Sequence, residues 1–141
     1  MEITANTAQT VAVNNDVLFT ETPICGCSSI MHRVGSGLVT LRGLTNGQCR
    51  ARFRVYFSGN VSIPEGGTAP AAIQFAIAIN GEPLPISTMI STPAAAQQAN
   101  GITTTTFIDV PAGCCNQIAI KNISSQSIIV QNANLIVERV A

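Results

Sequence analysis

Eight consecutive residues, Arg50-Ala51-Arg52-Phe53-Arg54-Val55-Tyr56-Phe57, alternate without a break between polar and apolar. In an extended chain successive side chains point to opposite sides. Ala51, Phe53, Val55 and Phe57 therefore share one face, and Arg50, Arg52, Arg54 and Tyr56 the other. A helix, with a period of about 3.6 residues, would scatter both sets around its circumference. The segment is a strand with a core side and a polar side, so the fold must supply a sheet for it to pair into and a second layer to cover its apolar face.

The same period runs through the rest of the chain. Ile73, Phe75, Ile77 and Ile79 alternate with Gln74, Ala76 and Ala78, which are small enough for close packing. Thr10–Val13 and Asp16–Thr20 are separated by the turn signal Asn14-Asn15, and Ile30–Val34 and Gly37–Leu41 by Gly35-Ser36. Gly43–Gln48 reads as a hairpin turn centred on Asn46-Gly47, and Asn80-Gly81 as another tight turn. Pro64-Glu65-Gly66-Gly67 closes the Arg-rich strand. Thr103–Val110 is β-branched and ends at Pro111-Ala112-Gly113; Gln117–Asn122 and Ser127–Val140 complete the chain. Pro93–Gly101 reads as one helical turn or as a long loop. The expectation is a single all-β domain over residues 1–141, with 1–9 an extended N-terminal arm and about eight to ten antiparallel strands spaced as in a sandwich or barrel.

Composition narrows the partners. The chain is 46% hydrophobic and 10% charged, against about 25% charged in ordinary soluble domains. Seven basic residues balance seven acidic ones, which excludes a footprint for nucleic acid or an anionic membrane. No apolar run reaches the roughly 18 residues of a spanning helix. No secretory signal is visible after Met1, so the expectation is synthesis in a bacterial cytoplasm. A surface so poor in charge suits coverage by partner subunits.

The chemistry-bearing residues are sparse. The five cysteines, Cys25, Cys27, Cys49, Cys114 and Cys115, read first as small buried hydrophobes. Their odd number leaves at least one without a partner in its own chain. Cys25 and Cys27 with His32 are the one candidate metal set, although the paired spacing of structural zinc sites is missing. A Cys–His nucleophile is the only catalytic pairing the sequence offers, and no signature surrounds it. The carboxylates Glu2, Asp16, Glu21, Glu65, Glu82, Asp109 and Glu138 are scattered singly, and no phosphate-binding glycine loop exists. The reading is of a protein that is not an enzyme and uses no cofactor.

Two features point to assembly. Ser127–Val137 is apolar on both faces at its two ends, and a strand apolar on both sides is covered on both sides. The arginine stripe, if covered, needs carboxylate partners among Glu82, Glu138 and Asp109, because an unpaired buried guanidinium is costly. The candidate subunit interface is Arg50, Arg52, Arg54, Tyr56, Gln131, Ala133, Leu135 and Val137.

The order of motifs resembles the trimeric jelly rolls of the TNF/C1q superfamily, in its bacterial and phage branch, from about Val11 to Val140. Ile30–Leu41 is similar to that family's early strand pair, and Gly47-Gln48-Cys49-Arg50-Ala51-Arg52-Phe53 to its Gly-x-Tyr-x-Val-x-Phe. Ile77-Ala78-Ile79-Asn80-Gly81-Glu82-Pro83-Leu84-Pro85 is similar to its Ile-Asn-Gly hairpin, and Val110-Pro111-Ala112-Gly113 to its late turn. Ala133-Asn134-Leu135-Ile136-Val137-Glu138-Arg139 is similar to its terminal strand. Cys49 and Cys114 depart from the pattern, standing where an aromatic and an aspartate are usual. The resemblance implies a homotrimeric jelly-roll β-sandwich that decorates or caps a phage or prophage capsid or fibre, with other virion proteins as partners. The alternative it implies is a receptor- or glycan-binding tip domain, as on the collagen-like filaments of spore surfaces.

Overall fold

The computed structural model describes all 141 residues and folds them into two packed antiparallel sheets. The strands are β1 (Glu2–Ala5), β2 (Gln9–Val11), β3 (Glu21–Ile24), β4 (Ile30–His32), β5 (Val39–Arg42), β6 (Arg50–Ser62), β7 (Ile73–Ile79), β8 (Glu82–Pro83), β9 (Met89–Ser91), β10 (Asn100–Pro111), β11 (Cys115–Asn122) and β12 (Ile128–Arg139). A short 3-10 turn at Pro85–Ser87 is the one helical element.

The first sheet runs β10-β6-β12-β1-β3, with β2 also on β12; the second runs β4-β5-β11-β7-β8, with β9 also on β7. The alternation of β6 sets the layering. Ala51, Phe53, Val55 and Phe57 are fully buried and meet Phe19, Leu41, Phe75, Ile77 and Ile120 in one apolar cluster between the sheets. Burying each such phenylalanine, leucine or isoleucine stabilises the fold by about 1.5–3 kcal/mol. Phe19 meets Phe57 edge to face, with centroids 6.5 Å apart, the arrangement that aromatic quadrupoles favour.

Local chemistry sets the connections. Asn80 and Gly81 both take positive φ (52° and 89°), as the tight hairpin joining β7 to β8 requires. Asn46-Gly47 does not make the hairpin its dipeptide suggests. Its flanking strands, β5 and β6, lie in opposite sheets, so residues 43–49 cross from one layer to the other. Pro93–Gln98 is loop, not helix. The N-terminal arm is itself strand: β1 pairs with β12 from Glu2↔Ile136 to Ala5↔Ala133. β3, unforeseen in the sequence, pairs with β1 and forms the sheet's edge. Asp16–Thr20 contributes a single bridge, Asp16 to Lys121.

One irregularity decides what the large sheet shows to solvent. In β12 the pairing with β6 slips between Gln131↔Asn60 and Asn134↔Ser58. Three residues advance against two, a β-bulge, with Asn132 at φ 55°, a conformation asparagine tolerates better than most residues. The bulge reverses the phase of the strand. Ile128 and Val130 point inward before it, and Ala133, Leu135 and Val137 point inward after it.

Candidate functional site

The outward face of the large sheet is built by the three longest strands. β6 presents Arg50, Arg52, Arg54 and Tyr56. The register places Thr105 against Tyr56, Phe107 against Arg54 and Asp109 against Arg52 on one side. On the other it places Ile136 against Tyr56 and Glu138 against Arg54. The core positions between them are the alternate residues, so every outward side chain stands beside an outward neighbour.

The arginine stripe is paired within its own chain. Arg52 Nε and Nη2 donate to the two carboxylate oxygens of Asp109 at 2.7 and 3.0 Å, the planar fork-to-fork geometry that fixes both groups. Arg50 reaches the same carboxylate at 3.6 Å, and Arg54 pairs with Glu138. Asp109 and Glu138 are thus two of the partners that the sequence nominates; Glu82 lies on the other sheet. The Arg52 hydrogen bonds hold the Asp109 carboxyl below its usual value. On β1, Glu2 accepts from Asn134 Nδ2 at 3.0 Å. The pairs remain about two-fifths exposed, so in an isolated subunit they add little stability.

Between the ion pairs lies a shallow cleft of about 400 Å³ lined by Arg54, Tyr56, Thr105 and Ile136. Phe107, on the edge strand beside it, is 61% exposed. Phenylalanine is usually interior, and an exposed ring beside Tyr56 and Ile136 makes an apolar patch inside a frame of paired charges.

Three of the interface candidates are misplaced by the bulge. Ala133, Leu135 and Val137 are buried in the sandwich of their own chain, at 1% exposure or less. Strict alternation from Gln131 puts them on the outer face; the extra residue at Asn132 turns them inward and puts Asn134, Ile136 and Glu138 outside. Gln131 itself is exposed, as are Arg54 and Tyr56. The outer side of β12 is consequently mixed, with Ile129 and Ile136 its only apolar residues. Phe107 and Ile136 escape sequence reasoning because nothing local pairs them with the stripe. The signal for Phe107 was present, since it shares the phase of Asp109 and not that of Ile108 and Val110.

The cysteines are also corrected: all five are exposed free thiols. Each sits in a loop or at a strand end, where the sheets offer no interior to occupy. His32 Nε2–H donates to the Ser36 carbonyl at 2.9 Å, and the ring packs edge-on against Phe19. Cys25, Cys27 and His32 do not converge on a metal-sized site.

No family model matches the chain, and no curated protein matches it. Among solved structures it is similar to the globular domain of zebrafish complement 1qA protein, with a TM-score of 0.57 and 9% identity over 96% of this chain and 93% of that one. It also aligns with the C-terminal domain of EclA, described as a sugar-binding protein, at TM-score 0.40 and 11% identity, over 95% of this chain and 79% of that one. A third alignment is to the CBM35 of Abf62 from Cellvibrio japonicus, at TM-score 0.41 and 13% identity, over 100% and 98%. The first likeness, with the two six-stranded sheets, makes the fold a C1q-like jelly roll.

Proposed function

We propose that the protein acts by assembly: a homotrimer closed through the outer face of strands β10, β6, β12 and β1, serving as an accessory structural protein on a phage or prophage particle. The observation that supports the seam is the electrical neutrality of that face. On β10, β6, β12 and β1, three guanidiniums (Arg50, Arg52, Arg54) face three carboxylates (Glu2, Asp109, Glu138), and each arginine is already paired in its own subunit. In a symmetric assembly every copy brings the same charges to the seam, so a face of one sign would repel itself. A neutral face does not, and each of the three guanidiniums keeps a carboxylate partner when the face is covered. Tyr56, Phe107 and Ile136 supply apolar area to bury. The three long strands present a patch of about 14 by 40 Å from strand spacing and rise, a large share of the roughly 800 Å² each partner gives to a standard interface. The number three comes from the likeness to trimeric TNF/C1q jelly rolls, and the phage setting from the order of the hairpin motifs.

Light scattering on the reduced protein tests the seam. The expected mass is three times the 14.7 kDa chain, and Arg52→Ala should lower it by leaving Asp109 without its main partner. An R52A protein that keeps both the trimer mass and the melting temperature overturns the seam. Co-sedimentation with purified phage particles tests the setting; recovery of all the protein in the supernatant counts against it.

A second reading is favoured by the cleft. Tyr56 offers a ring for a sugar face, and Thr105 and Arg54 offer hydrogen bonds beside it. This reading needs the same face open that the first needs closed. A glycan-array signal abolished by Tyr56→Ala, in a protein that scatters as a single chain, would select it.

A further inference from the structure

The five cysteines are far apart in sequence but lie together in the fold. Cys25 and Cys27 are in the loop from β3 to β4, Cys49 ends the crossover from β5 to β6, and Cys114 and Cys115 form the turn from β10 into β11. Hydrogen bonds tie these three connections to one end of the sandwich. The Arg42 N–H donates to the Ser29 carbonyl at 2.7 Å, and Gly43 N–H to the Cys114 carbonyl at 2.8 Å. The Ala112 N–H donates to the Cys49 carbonyl at 3.0 Å, and Cys115 stands opposite Arg42 in the sheet. Arg139 closes the set, donating to Ser29 Oγ at 3.0 Å and to the Leu44 carbonyl. The loops pack so closely that a β-carbon on Gly43 would collide with the Pro111 carbonyl oxygen.

Every one of these thiols is exposed. Free cysteine is ordinarily among the most buried residue types, and the core has no cysteine at all. Five thiols held in solvent at one pole are therefore a surface feature. Intrachain pairing cannot consume them: the number is odd, and the Cα atoms of adjacent Cys114 and Cys115, about 3.8 Å apart, fall below the usual disulfide span.

We infer that this pole is a covalent docking surface for a second copy of the chain, joined through disulfides between the poles of the two copies. Each disulfide takes one thiol from either side, so two copies of the same thiol-bearing pole supply both halves of every bond once they dock, as in an isologous contact. The oxidant is a low-molecular-weight disulfide. A cysteine thiolate of one copy attacks it, forming a mixed disulfide and releasing one small thiol. A thiolate of the second copy then attacks the protein sulfur of that mixed disulfide and releases the other small thiol. Two protein thiols are oxidised to one S–S bond, and the small disulfide is reduced to two thiols. The inference is independent of the seam, which uses the flat side of the sandwich and no sulfur.

Millimolar reduced and oxidised glutathione provide the test. In that excess a chance collision between two copies loses to the small thiol, so interchain bonds accumulate only if the poles dock and raise the local thiol concentration. After alkylation and denaturation without reductant, the wild-type chain is expected at twice its mass and at higher multiples, all collapsing to 14.7 kDa with reductant. C25S/C27S/C49S/C114S/C115S is expected at single-chain mass only, with an unchanged melting temperature because none of the five side chains is buried. Wild-type protein that stays at single-chain mass, carrying glutathione adducts or intrachain bridges, overturns the inference. A trimer in reductant with no covalent multiples in oxidant removes the thiol pole alone; covalent multiples from a protein that is monomeric in reductant remove the seam alone.

Discussion

The two sheets turn very different faces to solvent. On the outer side of the smaller sheet, β7 presents Ala76 and Ala78 and β11 presents Ala119, and all three are at most 4% exposed although they point away from the core. Their longer neighbours roof them: Lys121, beside Ala76 in the register, carries its Nζ to the Gly81 carbonyl at 2.9 Å. The centre of that face is finished by its own chain, whereas at its margins Met31 on β4 and Ile90 on β9 stand 52% and 64% exposed. The larger sheet projects three arginines, a tyrosine, a phenylalanine and two isoleucines, with each guanidinium paired before any partner arrives. Flatness with small residues marks a centre that needs nothing; protruding apolar groups inside pre-paired charges mark one that is suited to being covered. The groove at the rim of the smaller sheet, about 650 Å³ between Met31, His32, Arg33, Ser36, Leu38, Thr40 and Gln117, lies off this alanine centre.

The sharpest way to break the comparison is to put a charge on each face. Ile136→Asp places an unpaired carboxylate in the middle of the large face, where every copy of a symmetric assembly would repeat it. The expected result in light scattering is complete loss of the assembled mass. Gln117→Asp, outward on β11, should leave it unchanged. Equal behaviour of the two variants would mean that the faces do not differ in the way described.

A smaller effect separates a finished face from an open one in the single subunit. Ala76→Leu forces three more carbons into a site with no exposed surface, and should cost about 1–3 kcal/mol in urea denaturation. Thr105→Leu, outward on β10, adds bulk where there is room and should change stability by no more than about 0.5 kcal/mol. A cheap A76L would show that the alanine row is not closed over.

The sandwich was legible because one sheet side is apolar and the other polar, a two-residue period that the residues print directly. β6 and β7 follow from that period, and β10 from its β-branched run. What failed was whatever depends on partners distant in sequence. The Asn46-Gly47 dipeptide has hairpin chemistry, but hairpin chemistry does not say that the next strand belongs to the same sheet. The bulge at Asn132 carries no local signature beyond an asparagine, yet it inverts the assignment of Ala133, Leu135 and Val137. The arginine partners Asp109 and Glu138 could be nominated by elimination, since a chain this poor in charge offers few carboxylates. The place of Phe107 beside the stripe became visible only once register was in hand, and the shared pole of the five cysteines only once loop packing was.

The smallest expected effect, and the one that reads both faces at once, is the response to pH. Asp16, bridged to Lys121 at the edge of β11, has its pKa raised above 3.8, chiefly by burial and against the attraction of Lys121. A carboxyl with a raised folded value contributes stability that is full below the unfolded value and is lost as pH rises through the folded one. Acidifying from neutral toward 4 should therefore stabilise the fold at this position. Asp109 is the opposite case. Its pKa is lowered below 3.8, first by the Arg52 hydrogen bonds, so its contribution is present above that value and is lost as pH falls below it. Melting temperature followed from pH 7 to 3 in an I136K background, whose added charge persists over the whole range and keeps assembly out of the reading, should show the two limbs separately. D16N should remove the gain between neutral pH and about 4, and D109N should remove part of the loss below 4. A D16N curve parallel to its parent above pH 4 would mean that Asp16 is as well solvated as the ion pairs on the open face.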